Sequence, residues 1–350
     1  MAYTDIDDPT IYFNTILYTG NDASNRGITG VNFAPDWVWI KKRNNVAGGV
    51  ISDTVRGAGK VLYSSETNAE GSESASFVSF DSDGYTISQD AGVGLNVNGH
   101  TYVGWNWKAG GSASSNTDGD ETTSVSVNQT AGFSIVSYTG TGSVDTFGHG
   151  LGAKPNVMIQ KKRSGSAAWT VYHDKVDANP SHKYLYLNSS AAVADYADHF
   201  NDTEPTSNVF TLGTDTSING SGATNIMYCF TEKKGYSKFG SYTGNGNADG
   251  TFVYTGFKPA LVIIKRTDNS SGANWLLLDS VRSDINVVNE NLFANLTDAE
   301  TSTERCDFVS NGFKLRQSGT TVNTSGGTYI YMAFAESPFV NSNGVPNNSR

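Results

Sequence analysis

The chain has 350 residues, only 17% of them charged, and a formal net charge of −10. That balance excludes a general nucleic-acid binder, which needs a positive field to engage phosphates. With 38 Gly, 17 Tyr and 17 Phe among many Ser, Thr and Asn, the composition suits short strands joined by tight turns and excludes a mainly helical protein.

The opening "MAYTDIDDPT" is polar and acidic. It lacks the basic start and apolar run of a secretory signal. No segment approaches the ~18 apolar residues of a membrane helix, so no membrane insertion is expected. Synthesis in a cytoplasm without a signal peptide is the expectation. Residues 1–12 read as an N-terminal arm.

The first strand runs into Tyr18-Thr19-Gly20, and the same tripeptide returns at Tyr138 and Tyr242. Seventeen residues beyond each tyrosine stands a proline: Pro35, Pro155 and Pro259. The loops between have nothing else in common. Each proline opens an apolar run, "DWVWIKKR", "NVMIQKKR" or "ALVIIKRT", with a lysine six residues on: Lys41, Lys161, Lys265. Such runs read as central strands covered on both faces, and proline at a strand's start forfeits no central ladder bond.

A second short strand then ends at Asp53, Asp174 and Asp279. Next come "SDGYTI", "SNVFTL" and "SNGFKL". Each copy closes on a strand whose alternate residues are large: Val103, Trp105, Trp107; Ile226, Tyr228, Phe230; Ile330, Met332, Phe334. Alternate strand residues share a face, so these form the expected core. The opposite face, with Gly104, Asn106 and Lys108, reads as partly buried.

The expected fold is therefore all-β: three tandem duplicated β-sandwich, jelly-roll-like modules of about 100 residues. They cover residues 13–111, 133–235 and 236–340. The Gly/Ser/Thr/Asp-rich stretch at 112–132 reads as a flexible linker, and 341–350 as a loosely ordered tail. Short helical turns are expected around "TNAEGSE" and "TDAETSTE".

The chemical candidates resolve into architecture. "FDSDGYT" around Asp81 and Asp83 has part of a calcium loop but lacks its later ligands, so a turn is expected. The five histidines, His100, His149, His173, His182 and His199, form no ligand cluster and read as surface or loop residues. His173 and Asp174 are adjacent on a strand and point to opposite faces, so they make a poor catalytic pair. The recurrent aspartates Asp53, Asp174 and Asp279 are expected to face Lys41, Lys161 and Lys265. Glycoside hydrolysis would need two carboxyls about 5–10 Å apart in one cleft. Trp37, Trp39, Trp105 and Trp107 read as interior, whereas Trp169 and Trp275 are the candidates for partly exposed aromatics. "GHGLG" at 148–152 precedes no helix and is no phosphate cradle. Cys229 and Cys306 read as two small residues in strands, with their pairing left open. Sequons such as Asn128, Asn188, Asn219, Asn269 and Asn323 are expected by chance in this composition. No catalytic, cofactor-binding or metal-binding residue is assigned, and binding residues remain unknown.

Taken together, "DIDDPTIYFNTILYTGND", "PDWVWIKKR", "SFDSDGYTI", "NGHTYVGWNWKAGG", "GYSKFGSYTGNGNADGTFVYTGFKPALVIIKRT" and "GGTYIYMAFAESPF" cover nearly the whole chain. As a set they resemble modular tail-fibre or fibre-like virion structural proteins of tailed phages, common among marine and cyanobacterial phages. The resemblance implies a non-enzymatic virion component, made in the host bacterial cytoplasm. Its expected partners are other virion proteins of tail or capsid, and a host cell-surface glycan or protein. A tail-associated fibre or adhesin is the first expectation, with contact through the variable segments 21–34, 141–154 and 245–258. A capsid decoration or vertex protein is the alternative, and a carbohydrate-active depolymerase the third. The arm at 1–12 would dock to the virion. A homo-oligomer, a trimer for a fibre, is expected from the symmetry of such appendages.

Overall fold

A computed structural model describes residues 3–89 and 92–348. The fold is all-β, with antiparallel pairing between all the named strands. The first third holds β1 (Phe13–Thr19), β2 (Arg26–Thr29), β3 (Trp37–Lys42), β4 (Val50–Asp53), β5 (Lys60–Tyr63), β6 (Gly71–Ser72), β7 (Phe77–Asp81), β8 (Gly84–Ile87) and β9 (Thr101–Trp107). They make a wide sheet, β1-β9-β3-β4-β5-β6, and a small one, β2-β8-β7.

The second third adds β10 (Ser114–Asn116), β11 (Thr123–Asn128), β12 (Phe133–Thr139), β13 (Asp145–Gly148), β14 (Val157–Lys162), β15 (Thr170–His173), β16 (Lys183–Tyr186), β17 (Ala194–Asp195), β18 (Val209–Leu212) and β19 (Thr224–Phe230). Its wide sheet is β10-β11-β12-β19-β14-β15-β16-β17, and its small one β13-β18. The last third has β20 (Ser237–Thr243), β21 (Phe252–Tyr254), β22 (Phe257–Arg266), β23 (Leu276–Asp279), β24 (Val288–Phe293), β25 (Thr301–Val309), β26 (Gly312–Leu315) and β27 (Thr328–Pro338), in the order β20-β27-β22-β23-β24-β25-β26-β21.

One order recurs. The closing strand (β9, β19 or β27) lies between the strand ending in Tyr-Thr-Gly (β1, β12, β20) and the strand at the proline (β3, β14, β22). Pro35 and Pro155 stand just ahead of their strands, whereas Pro259 lies inside β22 at a break in register. A bulge is where a strand tolerates a missing N–H donor.

Alternation along these strands sends residues to two different cores. Val38, Ile40 and Tyr102 pack with the small sheet of the first third. Met158, Met227 and Cys229 do so in the second, and in the third Val262, Tyr329 and Tyr331 pack with β21, β25 and β26 of the same continuous sheet. The face expected to be partly exposed is therefore buried within each sandwich. The other face, carrying Trp37, Trp105, Trp107, Ile226, Tyr228, Phe230, Ile330, Met332 and Phe334, enters one central core shared by all three sheets. Trp37 lies 4.4 Å from Trp107 in its own sheet and 4.7 Å from Tyr228 in the next, between ring centroids. Phe334 of the third sheet reaches Phe13 at 5.4 Å and Phe230 at 5.8 Å. Trp169 and Trp275, expected to be partly exposed, are also buried in this core.

Other segments are more ordered, or placed differently, than expected. The segment 112–132 carries β10 and β11, which extend the second sheet, so it is built into the fold. The alternating Val125 and Val127 supply the apolar face that a free linker would lack. The described part of the N-terminal arm, from residue 3, packs on the fold: Ile6 is buried in the central core and Thr4 donates to the Lys234 carbonyl; residues 1–2 lie outside the described residues. The tail is held by Asp7, which accepts from the Ser342 backbone and hydroxyl, and by Asn347, which donates to Ser310 and Ser337. The short helical turns fall at Ala197–Phe200 and Thr216–Asn219 instead of 67–73 and 297–304.

Replacing Trp37 by Ala removes the ring that meets Phe133, Tyr228 and Phe230 of the second sheet. Equilibrium denaturation of Trp37→Ala is expected to show a loss of about 3–5 kcal/mol, the range for deleting a large buried aromatic. A loss below 1 kcal/mol would mean that the shared core does not hold the sheets together.

Candidate binding surface

Each Tyr-Thr-Gly corner is a latch. The hydroxyls of Tyr18, Tyr138 and Tyr242 donate to the carbonyls of Leu95, Ile218 and Val322, at 2.9, 2.7 and 2.7 Å. The next residue in each case is a buried asparagine: Asn96, Asn219 or Asn323. Its side-chain oxygen accepts from the backbone N–H that leaves the corner, that of Asn21, Thr141 or Asn245. Gly20, Gly140 and Gly244 sit against backbone; a Cβ there would lie 1.9, 2.5 and 2.3 Å from the carbonyls of Val97, Gly220 and Thr324. Close approach, and not a left-handed turn, explains these glycines. The asparagines escaped the sequence reading because their neighbours differ. Their signal was spacing: each stands five residues before Thr101, Thr224 or Thr328. Asn219 and Asn323 are also sequons, and their burial closes them to a glycan.

The segments launched by the latches are only partly loops. Each contains an outer-sheet strand, β2, β13 or β21, with buried Ile28, Phe147 or Val253. The turns that leave the corners are 21–25, 141–144 and 245–250. The turns differ in character. The first places Asp22 and Asn25 at φ of 57° and 51°. The third chains side-chain turns, Asn245 accepting from Asn247 N and Asn247 from Asp249 N.

Between the sheets, polar groups form a ring. The Lys41 ammonium donates to the Leu296 carbonyl at 2.7 Å, Lys161 to Thr67 at 3.1 Å and Lys265 to Ser190 at 3.3 Å. The first sheet thus grips the third, the second grips the first, and the third grips the second. Arg43–Glu300 and Arg163–Glu70 ion pairs reinforce two of these junctions, at 2.6 and 2.8 Å. Indole N–H groups add Trp169 to the Tyr63 carbonyl and Trp275 to that of Tyr186, both at 2.9 Å. Burial lowers each of the three lysines to a pKa of about 8.

The expected aspartate–lysine pairing is therefore replaced by another. Asp53 binds Arg56, and Asp279 binds Arg282, each at 2.5 Å with both side chains fully buried. Each aspartate also accepts from the neighbouring sheet, Asp53 from the Tyr228 hydroxyl and Asp279 from the Trp105 indole. Strand pairing sets Trp37 opposite Asp53, Val157 opposite His173 and Leu261 opposite Asp279. The counterpart in the second sheet is thus His173, not Asp174. Val176 takes the place of the arginine, so a neutral pair replaces a charged one. Lys175 N donates to His173 Nδ1, which leaves Nε2 to donate to the Tyr331 carbonyl of the third sheet. Asp174 faces Asn156 and Lys175 instead.

His149, His173 and His199 are buried, against the expectation of surface histidines. A protein interior holds an imidazole when it stays neutral, and burial lowers His149 and His173 to about 4. Asp83 accepts from the Gly30 and Asn32 amides just after β2, and Asp81 from Ser79 and Thr86 within the β7–β8 hairpin, so both carboxylates are engaged by the small sheet's own chain. Cys229 and Cys306 are free thiols buried in two different outer cores. Among the described residues, no group of three His, Cys, Asp or Glu side chains could hold a metal ion, and no helix is long and apolar enough to cross a membrane.

The fold and its contacts thus define an all-β protein of three sheets closed head to tail around one core. The chain belongs to a family described as a domain of unknown function (DUF7483), whose model matches residues 8–338. A search of curated proteins finds no match.

His173 makes stability depend on pH. Its folded pKa of about 4 lies below the unfolded value of about 6.5, so the unfolded chain binds the extra proton between them. Stability is expected to fall as pH drops from 6.5 toward 4, by on the order of 3 kcal/mol from this group. His173→Gln keeps a donor for Tyr331 but does not titrate. Urea denaturation at several pH values should show a shallower slope in that variant; equal slopes would exclude the assignment.

Proposed function

We propose that this chain is a non-enzymatic structural protein of a tailed-phage virion, a tail-associated adhesin that meets the host surface through its turns. The observation that carries the reading is the latch. One set of contacts, Tyr hydroxyl to carbonyl and Asn side chain to backbone, recurs at three corners and launches three unlike turns. Recognition elements are typically loops on a rigid scaffold. The likeness of the quoted motifs to fibre-like virion proteins supplies the biological setting: a virion, assembled from protein made in the host cytoplasm. The head-to-tail lysine contacts of the three wide sheets, each sheet gripping the next, are compatible with such an appendage.

The ring also favours a second reading, a capsid decoration or vertex protein. The described residues form a closed unit without a shaft, and a pseudo-threefold unit matches a threefold position on a shell. Electron microscopy of virions labelled at this protein separates tail from capsid.

Grafting whole segments such as 21–34 would cut the outer sheets, because each contains a buried strand. The turns 21–25, 141–144 and 245–250 are the parts to exchange. Phage carrying all three exchanged turns is expected to assemble with a folded protein and to adsorb to its host at least about tenfold more slowly, the equivalent of losing 1.4 kcal/mol of contact. Unchanged adsorption would remove the adhesin role.

A further inference from the structure

We propose that the cleft between the N-terminal segment and the third sheet binds a neutral saccharide, an inference that rests on the adhesin reading. The cleft has a volume of about 470 Å³. Its walls include two tyrosines that are largely open to solvent, Tyr3 at 62% and Tyr254 at 59% exposure. Large exposed aromatics in a cleft ask for a ligand with an apolar face.

Both walls are held in place. The Tyr254 ring lies over Gly256, where a Cβ would be 3.5 Å from the phenol oxygen and 3.7 Å from ring carbons. On the other side, Thr4 donates to the Lys234 carbonyl at 3.0 Å, Asp5 N to the same carbonyl at 3.0 Å, and Lys234 N to the Asp5 carboxylate at 3.3 Å. Gly235 makes this possible, since a Cβ there would sit 2.0 Å from the Thr4 hydroxyl. Between the walls, the Glu232 carboxylate is fixed by Lys238 at 2.9 Å and by the Phe239 amide at 2.8 Å.

The lining selects the class of ligand. Among the described residues its charges balance, Asp5 and Glu232 against Lys234 and Lys238, so they offer no net field for an ion. Among the described residues its lining contains no Val, Leu, Ile or Met side chain, so the apolar anchor of a peptide would meet only the two rings there. Ring faces beside fixed hydrogen-bonding groups suit a ligand that is hydroxylated at its edge and apolar on its faces. A neutral pyranose has that form. A ligand without charge should also bind independently of salt.

The test uses the full chain, titrated calorimetrically with neutral hexasaccharides of glucan, mannan and chitin type, and with an anionic uronate hexasaccharide. At least one neutral sugar is expected to bind, with an affinity unchanged by salt. Tyr254→Ala should weaken it about tenfold or more at an unchanged melting temperature. Gly235→Ala, which expels Thr4, should weaken it independently, and Phe252→Ala, outside the cleft, should not. The proposal fails if no neutral hexasaccharide binds, if only the uronate binds and does so salt-dependently, or if Tyr254→Ala binds as well as the parent. Host adsorption separates this failure from that of the adhesin reading. Normal adsorption by Tyr254→Ala virions, with adsorption lost on exchange of the turns, would sink the cleft alone. Normal adsorption by both would sink both.

Discussion

An apolar sheet face must be covered, and here each wide sheet is covered by the other two. The face carrying Trp37, Tyr228 and Phe334 has no partner within its own third, because the small outer sheet, or in the last third the outer strands β21, β25 and β26, packs on the opposite side. The three inner faces therefore converge, and the rest of the molecule follows from that convergence. The closing strand is central and buried on both faces. The strand at each proline is apolar at nearly every position for the same reason.

A shared core fixes the sheets only if they also keep their rotation about it, and the polar ring supplies that constraint. A lysine and an indole cross each junction in the same sense. Head-to-tail contacts generate rings when the rotation closes, and with three sheets it does. The buried pairs Asp53–Arg56 and Asp279–Arg282 are costly to desolvate, and removing one member of such a pair typically costs 3–5 kcal/mol. Each is satisfied by donors and acceptors from its own sheet and by a hydroxyl or indole from the neighbour. In the second sheet, His173 and Val176 meet the same geometric need without a charge pair.

Much of this was legible in the residues. The Tyr-Thr-Gly and proline spacing marks equivalent strands, and the alternation at Val103, Trp105 and Trp107 marks a buried face. What periodicity cannot say is which partner covers a face. Alternation shows that Trp105 is inside, but it does not distinguish a sandwich interior from an interface between sheets. The same limit misplaced Trp169 and Trp275, which begin their strands yet close the junctions. The identity of Asp53's partner was hidden because Lys41 recurs as regularly as the aspartate, and regular spacing alone does not pair them. A one-residue error, Asp174 for His173, arose because two different residues fill one structural position. At the candidate surface, the corners were visible and the asparagines were not. The cleft of Tyr3 and Tyr254 was invisible, since 230-odd residues separate Thr4 from the Lys234 carbonyl that anchors it.

The central claim is that three sheets form one folding unit. Differential scanning calorimetry of the intact chain tests it most directly. A shared core predicts one transition, with a van't Hoff enthalpy equal to the calorimetric enthalpy. Resolved transitions, or a van't Hoff enthalpy near a third of the calorimetric value, would show three independent modules joined like beads and would contradict the account.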